Sequence, residues 1–103
     1  MNIRELLNKI SDITSNTFKQ EYNIYDEVKN IIPDMQRIYK EFIELIPALN
    51  NIGMEIDINV PIMQLKNLLE ALESRDKVMM FDTLNYEIKD TLSLYDEIKE
   101  IME

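Results

Sequence analysis

Apolar residues recur at steps of three and four along almost the whole chain, and only one glycine and three prolines interrupt them. That spacing is the mark of amphipathic helices. So little glycine and proline leaves no material for the tight turns of a β-rich fold. The sequence therefore predicts an all-α protein, an antiparallel helical bundle of about four helices.

The breaks set the expected boundaries. Ile3, Leu6, Leu7, Ile10, Ile13, Phe18, Tyr22, Tyr25, Val28, Ile31 and Ile32 form one stripe, which predicts a first helix over about 3–31. Thr14, Ser15, Asn16 and Thr17 are poor helix formers inside it, but the stripe keeps its phase across them. Pro33 and Asp34 suit the first turn of a second helix, over about 34–51, with Met35, Ile38, Tyr39, Phe42, Ile43, Leu45, Ile46 and Leu49 inward. Pro47 should weaken its last turn, and Asn50, Asn51 and Gly53 should end it.

Residues 54–60 alternate apolar and polar, but a lone strand has nothing to pair with. They are expected to form an extended connector docked through Met54, Ile56 and Ile58. A third helix is expected over 61–74, with Ile62, Leu65, Leu68, Leu69 and Leu72 inward. A fourth is expected over 76–102, capped by Asp76 and buried through Val78, Phe81, Leu84, Ile88, Leu92, Tyr95, Ile98 and Met102. The 103 residues fit a single domain spanning 1–103, large enough to bury a core without staples. A first helix of that length, about 43 Å at 1.5 Å per residue, would outrun such a globule and invite self-association.

The chemistry available is narrow. Histidine, cysteine and tryptophan are absent, which removes the commonest general base, the thiolate nucleophile and the usual transition-metal ligands. Ser11, Ser15, Ser74 and Ser93 have no base to activate them, and Gly53 alone cannot build a phosphate loop. Glu87 and Asp90, or Glu97, Glu100 and Glu103, could gather oxygens for a hard cation, but they fall on the expected solvent face. No enzymatic activity, metal or cofactor is expected.

The net charge is −9, with 20 acids against 11 bases, and residues 61–103 hold ten of those acids and five of the bases. Such a surface repels nucleic acid and anionic membrane. No apolar run is long enough for a membrane span, and the charged start Met1-Asn2-Ile3-Arg4-Glu5 does not read as a signal peptide. With no cysteine, a cytoplasmic location is expected.

An interaction protein is the reading left. Val78-Met79-Met80-Phe81 is wider than one seam needs, and methionine and tyrosine make adaptable contact surfaces. Met79, Met80, Tyr86 and Tyr95 are the candidate partner-binding residues, with core filling as the competing role. The partner would be a protein supplying a helical segment, and the chain is expected to pair as a two-fold homodimer. The alternatives are an acidic mimic of nucleic acid that inhibits its target, although its carboxylates would need phosphate-like spacing and these alternate with bases, or a self-associating structural protein.

The stretch Leu65–Leu94 adds a resemblance. Its run from Leu68 to Ile88, a charged turn Ser74-Arg75-Asp76-Lys77 followed by the apolar quartet, Asp82 and Leu84-Asn85-Tyr86-Glu87, resembles the tail of small helical proteins of Gram-positive bacteria. The likeness covers about a third of the chain and holds no catalytic motif. It is similar in kind to flagellar export chaperones, which are short acidic bundles, and implies a chaperone- or adaptor-like role.

Overall fold

The computed structural model describes residues 1–102. It is all-α, with four helices among the described residues: α1 (Ile3–Asn16), α2 (Ile24–Asn51), α3 (Asn59–Ser74) and α4. The last runs unbroken through an α-helical stretch Lys77–Asp82, a π-helical segment Thr83–Ile88 and a second α-helical stretch Lys89–Met102. α1 packs on α2, α2 on α3, α3 on the first two stretches of α4, and the rest of α4 closes back onto α1. Each neighbour runs antiparallel to the last. Lys9 pairs with Glu27, Tyr39 with Gln64, and Arg4 with Asp96. The bundle measures 47 × 24 × 20 Å, its long axis set by α2, whose 28 residues reach about 42 Å.

The first boundary lies elsewhere than the apolar spacing predicts. The expected helix over 3–31 stops at Asn16, and the expected break at Pro33 is continuous helix. The polar quartet ends α1 because its side chains bond back to the backbone. Ser15 Oγ donates to the Ser11 carbonyl at 2.7 Å, Asn16 Nδ2 to the Asp12 carbonyl at 2.7 Å, and buried Thr17 Oγ1 to the Ile13 carbonyl at 2.8 Å. Side-chain bonds back to carbonyls four residues earlier compete with the regular backbone ladder and weaken a helix where they cluster. Glu21 then turns the chain at φ 67°, and Asn23 caps α2 through the Asp26 amide at 3.3 Å. The apolar stripe keeps phase because the turn returns the chain to the same core. α1 is thus about 21 Å long, and the expected overhang disappears.

Pro33 and Pro47 both lie on the exposed side of α2. On that side of the helix, the carbonyls they leave without a helical partner can be served by water. α2 ends as expected, with Gly53 at φ 94° and the Met54 and Gly53 amides bonding back to the Leu49 and Asn50 carbonyls. α3 ends in the same way around Arg75 at φ 54°, whose guanidinium lies 4.3 Å from the Tyr25 ring centre. Asp76 caps α4, accepting from the Met79 amide at 3.0 Å.

The inward face of α3 is shifted only in part from the expected one, since Leu68 is buried and Leu65 and Leu72 pack against the core as expected. Pro61, Gln64, Leu68 and Ala71 are buried, whereas Ile62 and Leu69 are exposed. Apolar residues surround this helix, so their spacing leaves its phase undetermined, and a polar side chain decides it. Gln64 Oε1 accepts from the Tyr39 hydroxyl at 2.7 Å and the Thr91 hydroxyl at 2.8 Å, joining α2, α3 and α4 at mid-bundle. Of the connector, Ile56 packs on the core while Met54 and Ile58 stay exposed. No helix among the described residues is long and apolar enough to cross a membrane.

Candidate aromatic contact surface on the pi segment

The π segment controls which side chains α4 presents. Extending the seam Ile98, Tyr95, Leu92, Ile88 backward at 3.6 residues per turn brings Phe81 and Val78 inward. In the structure the inward residues are Met80 ahead of the segment and Thr83 and Leu84 at its start, and Val78 is exposed. The Lys89 amide bonds to the Leu84 carbonyl, five residues back, so the helix has absorbed one extra residue and its face has advanced by one. This corrects the expected burial of Val78, Phe81 and Met102, the last lying exposed at the far end.

The same shift builds a surface. Residues five apart on a regular α-helix point about 140° away from each other. Across the π segment Tyr86 instead meets Phe81 edge-on, with ring centres 6.2 Å apart. Phe18, from the turn after α1, completes the row 5.2 Å from Phe81. Phe18, Val78 and Tyr86 are 60%, 59% and 63% exposed, with half-buried Phe81 between the two outer rings. Aromatic residues are enriched at protein interfaces, which makes this row the candidate contact surface.

The four residues singled out from the sequence part company. Tyr86 belongs to this strip. Met80 is fully buried and Tyr95 is 5% exposed, stacked at 4.9 Å on Phe42, so both are core residues in this fold. Burial holds the Tyr95 phenol above its ordinary pKa. Met79 is half-buried and faces the other way, lining a shallow cleft with Glu70, Glu73 and Ser74 between α3 and α4. The quartet at 78–81 is therefore divided between core, cleft and strip.

A second apolar opening lies by the connector, a cavity of ≈ 300 Å³. Phe42 of α2, Met54 and Ile56 of the connector, Pro61 of α3 and Leu94 of α4 line it. Sequence spacing missed both the cleft and Phe18, which it placed inside a continuous helix. The only advance signal of the cleft was the Met-Glu-Ile-Asp alternation.

Acidic side chains are spread over the surface. No group of three or more carboxylates among the described residues could hold a metal ion, and Glu103 of the expected acidic repeat lies outside them. Elsewhere Asp34 is held below the ordinary carboxylate range by hydrogen bonds from the N-terminal amine and Arg37. The Lys9 amine is held above its ordinary value by its hydrogen bond to Glu27. Asp34 ties the chain's first residue to α2, and Lys9 ties α1 to α2.

No family model, curated protein or solved structure matches the chain.

Proposed function

We propose that the chain is a non-enzymatic, cytoplasmic interaction protein, chaperone- or adaptor-like, that holds a helical segment of a client protein. The observation that carries this reading is the exposed row Phe18, Phe81 and Tyr86, set in line by the π segment. Two outer members are more than half exposed, and π segments within α-helices occur frequently at functional sites. Burying Tyr86 alone, 63% exposed, would remove roughly 130 Å² from water, on the order of 3 kcal/mol before the losses of association are counted. The apolar face of an amphipathic helix laid on the row would gain such contacts from each ring. The resemblance of residues 65–94 to small bacterial helical proteins points the same way.

A photo-reactive amino acid at position 86 or 78 should crosslink one client in the native host, while the same group at exposed Glu44 on α2 should not. Equal yields from all three positions would count against the strip. A two-fold homodimer through the same row is the second reading, favoured by the exposed Val78 and Phe18. Light scattering over a micromolar concentration series separates it, since a constant mass near 12.3 kDa leaves only the client reading.

A further inference from the structure

The α1–α2 and α3–α4 turns meet at one end of the bundle, and the connector cleft lies toward the other. Its walls are pre-set. The Asn50 side chain grips the connector twice, donating to the Ile56 carbonyl at 2.9 Å and accepting from the Ile56 amide at 2.6 Å. Glu55 is held at φ 54°, a conformation non-glycine residues rarely adopt. The mouth is apolar, with Met54 39%, Val60 48% and Leu94 38% exposed. Its ≈ 300 Å³ lies at the small end of ligand sites and suits one or two large side chains.

The charge around this mouth has one sign. Glu55 and Asp57 line the cleft and no lysine or arginine does. Asp90 and Glu97 are exposed one turn before and after Leu94, on the same side of α4. None of these four carboxylates has an ion-pair partner among the described residues. An apolar slot ringed by unpaired acids matches a segment that is apolar at its centre and basic on its flanks.

We infer that the connector cleft is a docking site for an amphipathic helix that inserts one or two large apolar side chains and carries lysine or arginine about a turn to either side. The held connector means little ordering accompanies binding, and the acids select against anionic segments. The site is separate from the aromatic strip and stands whether or not that strip binds a client.

The test is an NMR titration of the isotope-labelled chain with two synthetic 18-residue helices that share a leucine stripe. One is flanked by lysine and its twin by glutamate. The lysine peptide should shift the amide signals of residues 54–60 and those around Leu94. It should bind at least about fivefold tighter than its twin, an advantage that shrinks as salt rises. Leu94→Asp and Val60→Asp, on opposite walls, should each abolish binding, Tyr86→Asp should not, and the double change Glu55→Lys with Asp57→Lys should reverse the preference. The inference would be overturned by equal binding of the twins, unchanged binding by both wall variants with native circular dichroism, the same shifts from a lysine peptide stripped of its leucines, or shifts centred on Phe18 and Phe81. Concentration-dependent shifts at the cleft with no peptide present would assign it to a second copy instead, and would also overturn it.

Discussion

Replacing Gln64 by leucine should be among the more damaging single changes in this protein, although it puts an apolar side chain of similar size into an apolar core. Gln64 is 6% exposed, and its Oε1 accepts from both the Tyr39 and Thr91 hydroxyls. Each bond contributes about 1 kcal/mol net, and a fully buried hydroxyl left unsatisfied costs about 1–3 kcal/mol. Tyr39 is 0% exposed and cannot turn to water, whereas half-buried Thr91 can. The expected loss is therefore about 2–3 kcal/mol, a fall of roughly 10–20 °C in Tm for a domain of this size. Adding Tyr39→Phe should return about 1–2 kcal/mol, because the stranded donor then disappears with its acceptor. Urea unfolding followed by circular dichroism closes the cycle over wild type, both single variants and the double. A loss under 0.5 kcal/mol for Gln64→Leu, or strictly additive effects, would refute the view that this polar layer fixes the phase of α3.

Other changes probe other parts of the fold. Burial pushes the Tyr39 phenol well above its ordinary pKa of 10.0, so the unfolded chain releases that proton first and stability falls as pH rises past about 10. An ultraviolet titration should show this phenol ionising only as the protein unfolds, and Tyr39→Phe should flatten the alkaline decline. Deleting Asn85 removes one residue from the π segment, so α4 should relax to a continuous α-helix with a modest change in Tm. Deleting Lys40 from regular α2 should instead rotate everything beyond it by about 100° and abolish cooperative melting. Asn50→Ala removes both bonds to Ile56 and should lose about 1–2 kcal/mol, seen first as faster hydrogen exchange at the Ile56 amide.

Much of the architecture was legible because it rests on periodicity and caps. The all-α class, the stop at Gly53, the cap at Asp76 and the inward faces of α2 and of α4 from Ile88 to Ile98 follow directly from spacing and residue type. The first turn was misplaced because its determinants are side-chain-to-backbone bonds from Thr17 and its neighbours, which leave the apolar phase intact. Pro33 misled for the opposite reason, since a proline on the solvent side of a long helix leaves a carbonyl that water can serve. The one-residue advance in α4 has no signature in composition, and it separated the candidate residues, leaving Tyr86 outside and taking Met80 into the core. The face of α3 depended on Gln64, a residue that spacing arguments assign to solvent.

The central claim is that the row aligned by the π segment is where this protein grips a client. Calorimetric titration of the crosslinked client, once purified, against wild type and Tyr86→Asp tests it most directly. Tyr86 is 63% exposed and lies outside the core, so the variant should keep the native circular dichroism spectrum and Tm. An aromatic anchor of this kind contributes about 2 kcal/mol or more, so the account predicts affinity weakened by roughly 30-fold or more. Unchanged affinity in a folded Tyr86→Asp protein would contradict it.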